Sequence, residues 1–342
     1  MPLVPYALTR PFLFGLDAEA AHELTLASIA RLQNTPAQCL WWQPRVRDPI
    51  TLAGLRFPNR VGLAAGLDKN ATHLRGLAAL GFGFLEAGTV TPRPQPGNPR
   101  PRMFRIVEAQ ALVNRLGFNN EGVERFVANV DRAGYRGILG VNIGKNSDTP
   151  NARAGDDYVA CLRAVHARAS YVTINVSSPN TKGLRDLQDE KALDALLARL
   201  VLERDALAQQ HGRRVPLVVK IAPDLEGDAM RAIARLLIGH RIDGVIATNT
   251  TLARNGVERL PHAGEQGGLS GAPLRDRAMA ALRTLAGVLD GALPIIAAGG
   301  IMSSDEAVER IKAGATLVQL YTGVIYRGPD LVAECVRALA AI

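Results

Sequence analysis

The chain repeats one local pattern eight times from residue 60 onward: a short apolar run, a polar or glycine-rich turn, and a helical stretch. The apolar runs occupy residues 60–66, 84–90, 138–144, 171–177, 217–223, 244–250, 294–300 and 317–323. Continuous rather than alternating apolar runs are typical of parallel strands that are covered on both faces. Eight such units without a linker predict an α/β chain folded as a closed (β/α)8 TIM barrel. A doubly wound open sheet is the alternative.

The segments between these strands carry helix signals and two long connections. Residues 303–315 begin with serine caps and first-turn acids and stop at Gly314. In residues 223–240, Asp224 is expected to cap a helix with apolar residues at three- and four-residue spacing. Residues 91–119 and 251–273 form long connections after the second and sixth strands, where barrels build their active sites. We therefore expect lids or binding loops there.

Composition narrows the class of protein. Hydrophobic residues make up 47% of the 342 residues, and the formal net charge is +8. A basic chain favours anionic partners, but no run of five or more Lys and Arg is present, so we expect no nucleic-acid partner. The odd count of 3 Cys without a CxxC motif predicts buried free thiols and a reducing compartment. We expect neither a signal peptide nor a transmembrane helix.

Polar side chains follow most of the predicted strands. They are Lys69, Thr89, Asn142, Asn175, Lys220, Thr248 and Asn249, joined by Asn114 from the first long loop and by Ser178 and Asn180. These strand ends carry neither His nor Cys, and carboxylates are sparse, with Asp68 the nearest. We therefore expect no metal site and no catalytic pair of carboxylates. Amide groups and positive charge suit an anionic, planar, hydrogen-bonding ligand.

The last two units carry a second signal. Gly299 and Gly300 end the seventh strand, and residues 321–323 read Tyr-Thr-Gly after the eighth. Barrels commonly bind phosphate with the loops after strands 7 and 8, where glycines let backbone N–H groups approach the oxygens. Gly271 is a candidate third contact. The alternative is that these glycines only make tight turns.

Long motifs within residues 61–323 make the chain similar to a known family. In chain order they are GLAAGLDKN, GFGFLEAGTVTPRPQPGNPRPRMFR, NRLGFNN, NIGKN, NVSSPNTKGLR, VVKIAPDL, IATNTT, GGLSGAPL, AAGGI and LVQLYTG. They resemble the quinone-linked class, class 2, of the dihydroorotate dehydrogenases, with no departure at any motif position. The resemblance implies an FMN cofactor and oxidation of (S)-dihydroorotate to orotate, with ubiquinone as electron acceptor, in the biosynthesis of UMP.

The resemblance also implies roles for individual residues. The FMN contacts would be Ala65, Gly66, Leu67, Asp68, Lys69, Thr89, Asn142, Asn175, Lys220, Thr248, Gly271, Gly300, Tyr321 and Thr322. The substrate contacts would be Lys69, Asn114, Arg115, Leu116, Gly117, Phe118, Asn175, Asn180, Asn249 and Thr250. Ser178 would be the catalytic base, with Thr181 and water relaying its proton and Phe118 shielding the site. The sequence alone does not decide whether Ser177 or Ser178 points inward, and both also suit an ordinary turn.

The first 45 residues precede the barrel and are rich in aromatic side chains. Asp17 is expected to cap a helix that runs to about Leu32, and Thr35-Pro36 to begin another. These helices either pack on the barrel as a structural cap or form a membrane-surface hairpin that admits a lipid-soluble quinone. The resemblance favours the hairpin, and it makes His22 and Arg105 candidates to hold the quinone carbonyls. For His22, the alternative is a helix-face histidine with no such role.

The predicted organisation is therefore an N-terminal segment, residues 1–45, followed by an FMN-binding barrel, residues 46–342. We expect a monomer attached peripherally to the cytoplasmic side of the cell membrane. The enzyme alternatives are a related FMN barrel that reduces fumarate or NAD and a dihydrouridine synthase, both of which would be expected to use a cysteine base. A non-enzymatic binding barrel is the remaining alternative, and a colourless protein would favour it.

Overall fold

Eight parallel strands close into a barrel at the centre of the structure, a computed structural model that describes residues 5–33, 35–43 and 46–342. The strands of the described chain are β1 (Ile50–Leu52), β2 (Leu55–Phe57), β3 (Val61–Leu63), β4 (Phe84–Val90), β5 (Met103–Ile106), β6 (Ala111–Asn114), β7 (Ile138–Ile143), β8 (Tyr171–Asn175), β9 (Leu217–Ile221), β10 (Gly244–Ala247), β11 (Gly268–Gly271), β12 (Ile295–Ala298) and β13 (Leu317–Leu320). The barrel order is β3-β4-β7-β8-β9-β10-β12-β13, and β13 pairs with β3 to close it. The predicted TIM barrel is confirmed, because each of the eight apolar runs contains one barrel strand.

Helices surround the barrel. They are α1 (Tyr6–Gly15), α2 (Ala18–Leu32), α3 (Leu74–Ala78), α4 (Val123–Ala133), α5 (Ala154–Val165), α6 (Glu190–His211), α7 (Gly227–Gly239), α8 (Arg275–Leu289), α9 (Ser304–Lys312), α10 (Thr322–Arg327) and α11 (Asp330–Ala340). Ser303 caps α9 as predicted, since its hydroxyl accepts from the Glu306 N–H at 3.2 Å. The predicted cap at Asp224 is wrong: α7 begins three residues later, and the Asp224 carboxylate instead accepts from Arg185 at 2.8 Å.

A short hairpin closes the amino-terminal end of the barrel. Strands β1 and β2 are joined by Ala53 and Gly54, both with positive φ, as a type I′ two-residue turn requires. Phe57 of this hairpin packs edge-to-face on Phe84 at 5.2 Å between ring centroids, and Phe84 in turn contacts Tyr171. These buried rings fill the barrel floor, so a ligand must enter from the opposite end.

The two long connections are partly regular structure rather than loops alone. Strands β5 and β6 come from the first connection and β11 from the second, and they form an antiparallel sheet in the order β11-β6-β5. In that sheet Val113 pairs with Leu269, which lies far away in sequence. The sequence did not predict this sheet, because each strand has only four residues, which is too few for a periodic signal, and because its partners are distant in sequence. Asn114 and Gly271 are thereby carried to the mouth of the barrel.

The N-terminal segment contains the two expected helical starts and one further helix. Asp17 caps α2 through bonds of 2.9 and 3.0 Å from the next turn, and a 3-10 helix begins at Pro36. The further helix is α1, which packs on α10 and is tied to it by the Tyr6 hydroxyl, 2.6 Å from the Ile325 carbonyl. Within the described ranges no helix has the length and apolarity to cross a bilayer. Cys161 and Cys335 are buried, but Cys39 is exposed, so its predicted burial is wrong.

Candidate active site

A cavity of about 140 Å³ opens at the carboxyl ends of the barrel strands. Side chains from nearly all of the strand ends converge there, as the barrel geometry requires. The predicted residues that line it are Ala65, Gly66, Lys69, Thr89, Asn114, Leu116, Gly117, Phe118, Asn175, Ser178, Asn180, Lys220, Thr248, Asn249, Thr250, Gly271, Gly299, Gly300, Tyr321, Thr322 and Gly323.

Five of the residues predicted to bind FMN or substrate or to act in catalysis do not line this cavity. Leu67 and Asp68 line a neighbouring cavity. The Asp68 carboxylate accepts hydrogen bonds from backbone N–H groups of the turn before α3, one of them at 2.8 Å. Asn142 is fully buried beneath the cavity. The Arg115 guanidinium points away, to the Glu265 carboxylate at 2.7 Å. Thr181 is buried in the loop after β8, beyond Ser177 and Ser178.

A buried polar network supports the floor of the cavity. The Asn142 side-chain oxygen accepts from the Thr89 hydroxyl at 2.5 Å and from the Asn175 amide at 3.0 Å. The Asn142 amide donates to the Glu86 carboxylate at 2.8 Å. Tyr171 also donates to Glu86, at 2.9 Å. Asn142 therefore orients the two residues above it without lining the cavity itself.

Glu86 was missed by the sequence reasoning, which named Asp68 as the nearest carboxylate. Glu86 is the one charged residue within the apolar run 84–90, and that interruption was the available signal. It is 1% exposed, and Gln319 completes its set of three donors at 2.8 Å. The three donors satisfy the hydrogen-bonding capacity of this buried carboxylate and fix its position beneath the cavity.

Two lysines supply positive charge to the cavity. Burial lowers the pKa of Lys220. Burial, together with the nearby Arg102 cation, lowers the pKa of Lys69 to about 8. Glu86 opposes the shift at Lys220. Within the described part of the chain, neither ammonium group makes a hydrogen bond or an ion pair. Both charges are thus available to an anionic ligand.

Glycines and a buried arginine shape the side of the cavity after β12. Gly300 has φ +70°, and a Cβ added there would lie 2.5 Å from the Arg275 backbone nitrogen. Arg310, 1% exposed, holds this loop by donating to the Arg275 carbonyl at 2.8 Å and to the Gly299 carbonyl at 3.2 Å. The result is a concave backbone surface of the kind that binds phosphate in barrels.

The two serines after β8 have different surroundings. The Ser177 hydroxyl donates to the Asn175 side-chain oxygen at 3.1 Å and accepts from the Asn249 amide at 2.9 Å. Ser178 lines the cavity, and its oxygen accepts from the Asn180 N–H at 3.2 Å. The Ser178 proton is therefore not committed to a described partner.

The loop between β6 and α4 covers the cavity. Phe118 has φ +54°, a strained conformation for a bulky residue, and its carbonyl accepts from Asn120 at 2.7 Å and from Gln95 at 3.2 Å. Its ring packs on Gly144, where an added Cβ would lie 2.9 Å from the ring. The loop thus holds an aromatic shield over the cavity.

A second cavity, also about 140 Å³, lies between α2 and the barrel. Lys69 and Leu116 line both cavities and therefore separate them. His22 lines the second cavity, and burial lowers its pKa to about 3, so its imidazole is neutral at physiological pH. Arg105 does not line it: its guanidinium donates to the Leu16 carbonyl at 2.7 Å. The structure therefore does not bring His22 and Arg105 to one cavity.

Several lining residues had no sequence prediction. They are Ala64, Ser270, Leu274, Ala298, Ile301, Met302 and Gln319. Only Gln319 had a usable signal, as the lone polar residue inside the apolar run 317–320. Its side-chain oxygen, with the Thr250 hydroxyl and the Asn180 side-chain oxygen, is buried without a hydrogen-bond partner in the described chain. Such groups are expected to bind a ligand or water.

Comparison with known proteins was made on both sequence and structure. The dihydroorotate dehydrogenase family profile matches residues 49–342. The dihydroorotate dehydrogenase (quinone) of Leptothrix cholodnii is 62% identical over 99% of each chain, and that of Methylibium petroleiphilum is 60% identical over 99% of each. The crystal structure of DHODH from Eimeria tenella in complex with ferulenol has a TM-score of 0.87 at 37% identity, covering 94% of this chain and 90% of that one.

The fold and its polar mouth define a (β/α)8-barrel enzyme, and these relatives make it an oxidoreductase. The chain belongs to the dihydroorotate dehydrogenase family. Within the family, the full-length relatives named above are dihydroorotate dehydrogenases (quinone).

Proposed function

We propose that the protein oxidises (S)-dihydroorotate to orotate in pyrimidine biosynthesis, with FMN as cofactor, ubiquinone as electron acceptor and Ser178 as base. The observation that carries this proposal is the composition of the mouth cavity. One uncommitted serine hydroxyl, two lysines and several unpaired amide or hydroxyl groups meet there. Dihydroorotate and orotate are anionic ring diamides, so donors and acceptors are needed around the ring.

The residues present fit an FMN. The concave backbone at Gly300 suits a phosphate, and Lys220 with the unpaired Gln319 oxygen suits a polar ring system. When bound, FMN supplies the redox chemistry by accepting a hydride. Lys220 would favour the negative charge that accompanies reduction, an effect that is strong in a water-excluded site.

Ser178 would accept the proton from the substrate carbon. A serine hydroxyl is a weak base, so it needs a route for its own proton. The Thr181 hydroxyl is buried and has no described partner, which supports a relay through Thr181 and water. Phe118 would keep bulk water from the reacting carbon.

The cysteine-based alternatives have no support in this cavity. None of its described lining residues is a cysteine. Burial raises the pKa of the Cys161 thiol well above its usual range and that of Cys335 to about 12. Neither thiol is poised to act as a base.

Residues 1–45 would form the quinone entrance and the contact with the membrane, and residues 46–342 the catalytic barrel. Half of the large hydrophobic side chains exposed on the described chain belong to this segment: Leu8, Phe12, Leu24, Leu40 and Trp42. Such a surface suits peripheral attachment to the cytoplasmic face of the membrane by a monomer. The neutral His22 imidazole would donate a hydrogen bond to a quinone carbonyl.

The test is an anaerobic titration of the purified protein. Dihydroorotate should bleach the yellow flavin band, and a short-chain ubiquinone should restore it. Bleaching without recovery would retain the barrel chemistry and remove the quinone role of residues 1–45. A yellow protein that does not bleach would overturn the substrate assignment.

Paired serine variants test the base. Ser178→Ala should slow flavin reduction by about 10²- to 10⁴-fold, the usual contribution of a positioned base. Ser177→Ala should cost about tenfold or less, because it removes the two hydrogen bonds of the Ser177 hydroxyl to the Asn175 and Asn249 side chains but not the proposed base. Near-normal reduction in Ser178→Ala, with no further gain at higher pH, would exclude Ser178 as the base.

A further inference from the structure

We propose that Glu19 is a positioning residue for the dihydroorotate site. Through a buried ion pair with Arg102, helix α2 holds the loop that carries Asn114 and the loop that carries Asn180, here called the substrate loops. This inference rests on the proposed function. It extends the role of the N-terminal segment beyond quinone entry, because it makes the oxidation of substrate depend on that segment as well.

The ion pair is buried and doubly bonded. The Arg102 Nη2 donates to the Glu19 Oε1 at 2.8 Å, and its Nε is 3.1 Å from both carboxylate oxygens. Glu19 is 6% and Arg102 7% exposed. Removing one partner of such a pair leaves an uncompensated buried charge, which is strongly unfavourable. The geometry therefore strongly favours one position of α2 on the loop that follows β4.

Hydrogen bonds connect Arg102 to the substrate loops through residues 96–98. Its Nη1 donates to the carbonyls of Pro96 at 2.7 Å and Asn98 at 2.9 Å. The Asn98 amide then donates to the carbonyls of Arg115 at 2.7 Å and Asn180 at 3.2 Å. Arg115 follows Asn114, and Asn180 follows the serine pair. Three hydrogen-bonded steps thus connect Glu19 to both loops, through Arg102 and then Asn98.

The same two loops are also joined directly to each other, and the loop that carries Asn114 is joined directly to Arg102. The Asn180 amide donates to the Asn114 side-chain oxygen at 3.0 Å, which links the loops at the cavity. The Arg115 N–H donates to the Arg102 carbonyl at 2.9 Å, a bond between backbone groups. Hydrogen bonds that share members in a poorly solvated network reinforce one another. Both substrate loops are therefore expected to move together with Arg102.

Charge balance at Lys69 gives a second consequence. Lys69 lies between the two cavities, and Arg102 lowers its pKa while Glu19 raises it. The other charged or titratable groups around Lys69 are Asp68, Glu23 and His22, with His73 beyond them. Neutralising Glu19 leaves the Arg102 cation uncompensated, so Lys69 should lose its proton at a lower pH.

The experiment compares orotate binding to the FMN-loaded, full-length wild type, Glu19→Gln and a control, Glu23→Gln. Glu23 lies one turn further along α2 and pairs with Arg100, which also lies 3.2 Å from the Glu19 carboxylate. Glu23 and Arg100 are more than half exposed, at 54% and 59%, and Glu23 is not bonded to Arg102, so it tests a surface charge of the same helix. Orotate is titrated from pH 6 to 10 while the flavin spectrum is followed. Glu19→Gln should raise the orotate Kd about tenfold, and its loss of orotate affinity at alkaline pH should begin at a lower pH than in the wild type. The orotate Kd of Glu23→Gln should stay within about twofold of the wild-type value.

A second variant keeps the inference testable if Glu19→Gln does not fold. Arg102→Lys retains the charge beside Glu19 but loses the fork that also reaches Pro96 and Asn98. It should raise the orotate Kd, while the loss of orotate affinity at alkaline pH should occur close to the wild-type pH. Unchanged Kd values and pH profiles in the folded variants would overturn the inference. A wild type that does not respond to orotate would instead overturn the substrate assignment on which it rests.

Discussion

Replacing Gly300 by alanine tests the proposed phosphate surface most directly. Gly300 has φ +70°, and its added Cβ would lie 2.5 Å from the Arg275 backbone nitrogen and 2.9 Å from the Arg275 Cβ. The left-handed conformation alone costs a non-glycine residue about 1–2 kcal/mol. The contact is with backbone at the start of α8, so the loop or the helix must shift, which adds about 1–3 kcal/mol.

A matched control separates these two costs. Gly291 has φ +78°, but an added Cβ there would meet nothing within 4 Å. Gly291→Ala should therefore lose only the conformational energy, and FMN affinity should not change. If the shift at Gly300 displaces the groups that hold the phosphate, its additional cost of about 1–3 kcal/mol appears as about 5- to 150-fold weaker FMN binding.

The assay measures the FMN dissociation constant from flavin fluorescence and the unfolding free energy from denaturant titration. Gly300→Ala should weaken FMN binding, while both variants should lose stability. Equal FMN affinity in folded Gly300→Ala and Gly291→Ala would refute the reasoning that the backbone at Gly300 binds the phosphate.

Three further predictions concern charge and loop position. Burial lowers the pKa of Lys69 to about 8, so orotate affinity should fall as the pH rises through that value; a flat titration from pH 6 to 10 would contradict this. Arg185 donates to the carbonyls of Ser177 at 3.0 Å and Thr250 at 2.9 Å. Arg185→Ala should slow flavin reduction about tenfold and spare the quinone KM, whereas a change in quinone KM alone would argue against its role in these loops. Glu86→Gln should cost about 1–3 kcal/mol of unfolding free energy in denaturant titration, because an amide replaces an acceptor that has three donors; unchanged stability would show that the donors find other partners.

The strand ends show how far local sequence carries a functional prediction. Parallel strands of a barrel all end at the same face, so residues such as Lys69, Asn175 and Lys220 could be assigned to one site before their positions were known. Asn142 was also placed correctly at a strand end, but its burial beneath Thr89 depends on side-chain packing across neighbouring strands. The direction of a side chain at a strand end is not a local property.

The serine pair illustrates the same limit. Ser177 and Ser178 have equal turn propensities, and only the amides of Asn175 and Asn249, delivered by two different strands, distinguish their surroundings. The Glu19–Arg102 pair is a second case, because its partners are 83 residues apart.

The sequence by itself determined the barrel, its strand positions and the chemistry of its mouth, since these depend on local periodicity and on the shared direction of parallel strands. Tertiary structure alone decided the β11-β6-β5 sheet, the closing hairpin, the buried Glu86 network and the attachment of α2, through Arg102, to the loops that carry Asn114 and Asn180. Those features depend on pairing between distant segments and on the desolvation of charges, and neither leaves a periodic signal in a short stretch of chain.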